Sequence, residues 1–399
     1  MRVCYLVGQG EGGLAHYTAE LANAVADDHD VLVAKPAETD ADDLFESAVD
    51  VVEPFRSIDV AMSKLYSRRV SLRQFLAGVG SYRRVADLRD YDVDVVHETT
   101  GLFPHVKYFA QRYGLDEAFP MVVTRHEVPR TRVPFRRPPV LLEECLDRLI
   151  PDLDAARTVV HTQDQRSALI ERGYDPARVA VIPHGAYSVF GDHDSVETDP
   201  EPNTLLFFGN VVPPKGVDTL VKAVPHVRRE VSDVSVVVAG DGQLPDDCRD
   251  VIAAYPEHFE IHNRYVPNEA VRDFFARASA VVLPYRDQGG TKGHSGALAT
   301  AFSFGKPVVA TTASNFPRLV EDSGSGLTVP PEDPAALADA IVAVLTDDRR
   351  RQAMAERSRE MADRLSWDSV ADQYVSLYRE ACDGAPDRRG ERLPSEPAR

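Results

Sequence analysis

Lys215 sits where a cation needs a reason to be. It lies in FFGNVVPPKGVDTLVKA, between a short apolar run, Leu205–Phe208, and the helical pattern Gly216–Arg229. A helix start carries partial positive charge, so an ammonium there is unfavoured unless an anion joins it. The placement points to an anionic ligand, against the bland alternative of a solvated lysine. A second feature of the same kind is TKGHSG, Thr291–Gly296, which opens the helical segment Ser295–Phe304. Free amides of Ser295, Gly296 and Ala297 suit a phosphate, and Ser295 equally suits a helix N-cap. A third is GQGEGG near the start, where Gly12 and Gly13 precede a helical pattern and let backbone approach a ligand closely.

Gly8, Gly10 and Gly13 also fit the G-x-G-x-x-G spacing of a dinucleotide turn. That reading wants an acidic residue after the second strand to hold a ribose. Lys35 and Pro36 follow DVLVA instead. A lysine suits a 2′-phosphate, which keeps NADP open, but a nicotinamide cofactor leaves the second half of the chain unexplained. His126 ends the strand-like VVTRHE, and His97, followed by Glu98, ends DVVHE. Each is either a contact to a reacting group or a histidine satisfied at a strand end. Cys4, Cys145, Cys248 and Cys382 are scattered without a C-x-x-C, and no H-E-x-x-H occurs, so neither a disulfide framework nor a zinc site is implied. The carboxylate pair of glycoside hydrolysis is not visible either.

Rigid elements must hold these residues. Short apolar strands at Arg2–Val7, Asp30–Ala34, Val93–His97, Met121–Thr124, Val159–His161 and Val179–Pro183 alternate with helical patterns, and the polar stretch from Ser57 to Asp90 reads as helical. An acidic, turn-rich segment, SVFGDHDSVETDPEPN, breaks the pattern as a hinge. The alternation then restarts, with strands at Leu205–Phe208, Ser235–Ala239, Ala280–Pro284 and Pro307–Thr311. The chain therefore reads as α/β, two Rossmann-like domains facing each other across a cleft. The expected divisions are a first domain over 1–187, a linker over 188–203 and a second domain over 204–365. A helix over 366–382 is expected to pack back on the first domain, ahead of a disordered tail over 383–399.

The 399 residues carry a net charge of −18, which repels phosphate backbones and argues against general nucleic-acid binding. Lysine is scarce beside arginine and aspartate outnumbers glutamate, a composition that suits a halophile's cytosolic protein. No apolar run approaches the ~20 residues that span a bilayer. A cytoplasmic protein is expected.

Ordered motifs across nearly the whole chain carry a resemblance. They are Gly12-Gly13 with Tyr17, IPHG (Ile182–Gly185), Lys215-Gly216, AGDG (Ala239–Gly242), LPY (Leu283–Tyr285), GKPVVAT (Gly305–Thr311), the E-D-x-x-x-G-L-x-V-P-P run Glu321–Pro331, and Trp367 with Tyr374. The sequence resembles the GT-B retaining glycosyltransferases of glycosyltransferase family 4. The resemblance implies transfer of a sugar from a nucleotide-sugar donor to an acceptor, with retention and without metal or other cofactor. It implies that Lys215 clamps the diphosphate and that His126 contacts the transferred sugar or its leaving oxygen. The donor site would also include Gly12, Gly13, Gly209, Asn210, Lys292, His294, Ser295, Gly296 and Thr300. Two departures stand out. Many relatives carry a glutamate pair where this sequence has Lys292 and Thr300, and an arginine where it has Asn210. Lys292 is the candidate to restore the missing positive charge. The departures keep a second reading in view, a non-catalytic nucleotide-sugar-binding or regulatory protein of the same fold.

On the acceptor side, Arg68, Arg69 and Arg73 alternate with apolar residues. Such a face suits a saccharide or lipid-linked acceptor, or peripheral contact with anionic membrane at its inner face. The bland alternative is a solvated, salt-bridged surface.

Overall fold

The computed structural model describes residues 1–10, 12–58, 72–101, 103–128, 149–188, 190, 200–287, 291–292 and 295–384. Arg68, Arg69, His294, most of the expected linker and residues 385–399 lie outside the described residues, as do the side chains of Thr291 and Lys292.

In the first lobe, β1 (Arg2–Leu6) runs into helix α1 (Gly13–Ala26), followed by β2 (Asp30–Pro36) and β3 (Val49–Phe55). Helix α2 (Leu72–Ser81) continues into a 3₁₀ segment, Tyr82–Asp90, and then come β4 (Val95–Glu98), α3 (Pro104–Arg112) and β5 (Met121–Arg125). A two-residue strand β6 (Glu127–Val128), β7 (Arg157–Val160), α4 (Gln163–Glu171) and β8 (Val179–Val181) complete the lobe. Its seven-stranded parallel sheet has the order β3-β2-β1-β4-β5-β7-β8. Both faces are covered, which is why β1 is apolar along its length, with Val3 to Leu6 wholly buried.

The second lobe repeats the plan. It contains β9 (Thr204–Phe208), α5 (Val217–Val227), β10 (Ser235–Ala239), α6 (Asp246–Ala254), β11 (Phe259–His262), α7 (Asn268–Arg277) and β12 (Ala280–Leu283). Then follow β13 (Thr291–Lys292), α8 (Gly296–Ser303), β14 (Val308–Thr311), β15 (Gly326–Val329), α9 (Pro334–Leu345), α10 (Asp348–Arg364) and α11 (Trp367–Asp383). Its parallel sheet has the order β11-β10-β9-β12-β14-β15.

Both sheets reverse strand order beside their first strand, at β1/β4 and at β9/β12. Ligands of open α/β sheets bind in the crevice outside the carboxyl ends of strands at such points. The loops that leave β1, β5, β9 and β12 carry Gly12, His126, Lys215 and Tyr285, so the topology gathers them at the facing ends of the two sheets. There the lobes exchange backbone directly. β6 and β13 pair antiparallel, with Glu127 opposite Lys292 and Val128 opposite Thr291.

The last helix belongs to the core of the first lobe. Trp367, Val370, Tyr374 and Tyr378 of α11 pack with Tyr17, Leu21 and Val25 of α1. A buried polar chain fixes the register. Tyr17 Oη meets Tyr374 Oη at 2.5 Å, Tyr374 meets Thr124, Thr124 meets His97 Nε2 at 2.8 Å, and His97 Nδ1 meets Tyr378 Oη at 2.6 Å. Every member has a partner, as burial demands. The expected last helix spans 366–382, and α11 runs from Trp367 to Asp383.

Candidate active site

The candidate cradle starts with two loops pressed together. Pro213–Lys215 makes one 3₁₀ turn, and Gly216 follows in the left-handed region at φ 65°. A Cβ at Gly216 would lie 1.9 Å from Pro284 O, so only glycine permits this approach. The Arg286 amide donates to Pro214 O at 2.9 Å and completes the clamp.

This geometry sets Lys215 Nζ over the Tyr285 ring, 3.8 Å from its centroid. The Tyr285 hydroxyl lies 2.7 Å from Ser295 Oγ, at the N-cap position of α8. The ammonium and a helix N-terminus thus meet on one tyrosine. The first turn of α8 holds no acidic side chain. Neighbouring cations are already engaged: Arg286 pairs with Asp218 and Glu332, and Lys222 pairs with Asp218 and Asp247. Among the described residues Lys215 has no carboxylate partner.

Tyr187, immediately before the expected linker, is not among the residues the sequence points to. Its hydroxyl donates to Gly13 O at 3.0 Å, and a Cβ at Gly296 would lie 3.4 Å from its ring. It therefore stands between the N-termini of α1 and α8, one from each lobe. Its only signal in the sequence is an aromatic residue two positions after IPHG. Next to it, the Ser188 hydroxyl donates to buried Glu20 of α1 at 2.6 Å.

The glycine loop is largely occupied by its own lobe. Gly8 N–H donates to Thr100 Oγ1 at 2.8 Å, and Gly12 N–H donates to Asp40 Oδ2 at 2.6 Å. Lys35, which kept an NADP reading open, is buried and pairs with Asp42 at 2.9 Å and Glu53 at 2.7 Å. Its charge is neutralised inside the lobe, which removes the support for that reading.

His126 stands where β5 turns into β6. Its Nε2 lies 2.7 Å from Thr99 O, and its Nδ1 lies 3.1 Å from His161 Nε2. His161 Nδ1 lies 2.9 Å from Ile182 O. Both carbonyl oxygens only accept, so each outer nitrogen carries a proton. Burial pushes His126 down to about 4 and holds His161 well below the ordinary imidazole range, His126 adding to the effect. Tyr17 packs edge-on against His126, with ring centroids 4.7 Å apart. His97 belongs to the buried chain to α11, and Glu98 accepts the amides of Thr100 and Gly101. His184 Nδ1 contacts Gly185 O at 2.6 Å.

The remaining candidates are dispersed. Gly209 and Asn210 follow β9, with Asn210 exposed. The Thr300 hydroxyl is buried and donates back to Gly296 O at 2.9 Å, inside its own helix. Arg73 is exposed on α2, away from this cradle. Nearby, Arg56, Arg83 and Arg84 border a surface groove walled by Pro54 and Leu76. Among the described residues no group of His, Cys, Asp and Glu side chains is arranged to hold a metal ion, and no helix is long and apolar enough to cross a membrane.

Two family descriptions match the chain in succession. Residues 11–186 match Glycosyltransferase Family 4, and residues 202–347 match Glycosyl transferases group 1. The chain belongs to the family 4-like group 1 glycosyltransferases. It is 27% identical to the phosphatidyl-myo-inositol mannosyltransferase of Mycobacterium leprae over 92% of both chains. It is 28% identical to the D-inositol 3-phosphate glycosyltransferase of Xylanimonas cellulosilytica, over 79% of this chain and 78% of that one. Two solved structures share the GT-B fold: HepE of Anabaena in complex with UDP-glucose, and the sucrose-phosphate synthase of Thermosynechococcus elongatus. HepE aligns at a TM-score of 0.71 and 17% identity, covering 95% of this chain and 99% of its own. The synthase aligns at 0.71 and 18%, covering 96% of this chain and 100% of its own. This glycosyltransferase is accordingly a transferase of glycosyl groups, with two Rossmann-like domains behind its cleft.

Proposed function

We propose that this glycosyltransferase uses a nucleoside-diphosphate sugar and transfers the sugar with retention. The observation that carries the reading is the convergence of Lys215 and the N-terminus of α8 on Tyr285. A sugar–diphosphate bond leaves negative charge on the diphosphate as it breaks, and an ammonium with free amides is suited to stabilise that charge. That HepE of Anabaena is solved with UDP-glucose supports the same donor class.

In this reading the C1–O bond to the diphosphate breaks while the acceptor oxygen bonds to C1 on the same face. The acceptor's proton passes to the leaving phosphate oxygen, so no protein carboxylate is required as base. Charge is balanced by Lys215 and peptide dipoles, and the scheme calls on no metal. His126, held neutral by burial, has Nε2 engaged by Thr99 O and Nδ1 against His161, so in this reading its ring shapes the sugar's surroundings and does not bond the sugar directly. The relatives named for inositol phosphate and phosphatidyl-inositol fit a polyol or lipid-linked acceptor, and the basic face around Arg73 suits an anionic one. The site would then work in the cytoplasm, at the inner face of the membrane.

The test is a panel of UDP- and GDP-sugars with the purified chain, following nucleoside diphosphate release and the anomeric configuration of the product by NMR. Release with retention, unaffected by EDTA and lost in Lys215→Ala, is expected. Inversion, an absolute need for added divalent metal, or full activity in Lys215→Ala overturns the reading.

A further inference from the structure

We propose that Tyr285 is a positioning residue that keeps both halves of the diphosphate grip available. The inference rests on the reading of Lys215 and α8 as that grip.

The ring acts on the cation. An ammonium 3.8 Å from the centroid is attracted by the ring's negative face without being neutralised. A carboxylate in the same place would cancel the charge that the diphosphate needs. Lysine loses much rotamer freedom when fixed, and a side chain already resting in place loses less on binding. The ring is itself held firmly. Thr311 Oγ1 donates to Tyr285 O at 2.6 Å, Phe316 packs edge-on at 5.1 Å, and Tyr285 is buried.

The hydroxyl acts on the helix. Ser295 occupies the N-cap position of α8, yet its side chain makes no capping hydrogen bond. A serine there ordinarily accepts from the amides of the first turn. Here Ser295 Oγ is engaged by Tyr285 Oη at 2.7 Å. The tyrosine thus diverts the residue that would compete with a phosphate for those amides. One side chain holds the cation ready with its ring and clears the helix terminus with its hydroxyl.

Ring and hydroxyl are separable by substitution. Binding of UDP and of GDP is measured by calorimetry for the unaltered chain, Lys215→Ala, Tyr285→Phe, Tyr285→Leu, and the double variants Tyr285→Phe/Ser295→Ala and Tyr285→Leu/Lys215→Ala. Tyr285→Phe keeps the ring and frees Ser295 to cap its helix, so affinity for the preferred nucleotide falls about threefold to tenfold. Adding Ser295→Ala removes the competitor and restores the affinity. Tyr285→Leu loses about tenfold or more, and loses less when Lys215 is already absent. A merely structural tyrosine would not give the serine rescue. If both Tyr285 variants bind like the unaltered chain while Lys215→Ala binds weakly, the inference fails and the functional reading stands. If Lys215→Ala binds like the unaltered chain, or the unaltered chain binds neither nucleotide, the functional reading fails and takes the inference with it. If Tyr285→Leu does not fold, Tyr285→Phe and its rescue still decide.

Discussion

The hydroxyl of Tyr187 donates to the carbonyl oxygen of Gly13 at 3.0 Å, and so ties the segment just before the linker to the first turn of α1. Tyr187 is buried, whereas Gly13 is exposed. Tyr187→Phe keeps the packing and deletes this bond. It should destabilise the chain by about 1 kcal/mol, the usual net value of one hydrogen bond. Because the ring also borders Gly296, donor KM should rise while the fold persists. A urea midpoint and KM identical to those of the unaltered chain would show that the contact contributes nothing.

The indole of Trp367 lies where a side chain on Gly185 would have to go. A Cβ at Gly185 would stand 2.4 Å from the ring. Gly185→Ala should therefore cost about 1–3 kcal/mol by overpacking. Trp367→Ala should cost about 3–5 kcal/mol by opening a cavity in the first lobe's core. The two changes share one space, so the double variant should lose less than the sum of the singles. Strict additivity in chemical denaturation would contradict this packing.

Much of this arrangement is legible in the sequence, and the failures have physical causes. The central strands are visible because a parallel sheet covered on both faces requires unbroken apolar runs such as VVVA in β10. β3 escapes notice because it is an edge strand, VDVVEPF, with a half-exposed surface and an internal proline. Helix α6 is short, opens with acidic residues and buries only Cys248. Helix α4 has little amphipathic pattern, and its one local signal is the capping box of Thr162 and Gln165. Lys215 and Ser295 can be chosen from their places before helices. Tyr285 and Tyr187 cannot be given their roles that way, because their contacts join segments distant in sequence. The His126–His161 pair is hidden for the same reason: it joins the ends of two strands that only the sheet order brings together.

Four histidines, His97 and His161 buried and His105 and His126 partly so, give the chain a definite acid response. Burial lowers His97 to about 3, His105 and His126 to about 4, and His161 well below the free value. The unfolded chain, with imidazoles near 6.5, binds more protons than the folded one below that pH. Stability is therefore fully present above about pH 6.5 and is lost as pH falls toward 4, each histidine adding at most about 1.4 kcal/mol per pH unit. Thermal unfolding should show Tm falling through that window. A Tm that stays level or rises between pH 6.5 and 5 would mean that these rings are not buried as neutral groups.

Asn268 holds the lobes together on the outer side of the cleft. From the start of α7 its Oδ1 meets His16 Nε2 of the other lobe at 2.8 Å. Its Nδ2 donates to Asp40 O at 2.9 Å and to Asp43 Oδ1 at 3.2 Å. Asp40 is also the residue whose carboxylate takes the Gly12 amide, so the latch reaches the glycine loop through one intermediary. Asn268→Ala removes all three contacts while leaving both sheets and both cores untouched. Inter-domain contacts of this kind set the balance between open and closed forms more than they set the stability of either domain. The expected result is a larger radius of gyration by small-angle X-ray scattering and a donor KM raised severalfold. Far-UV circular dichroism should stay unchanged, since no helix or strand loses a bond. If scattering and KM are both those of the unaltered chain, closure of the cleft does not depend on this latch, and ties such as the antiparallel pairing of Glu127–Val128 with Thr291–Lys292 suffice.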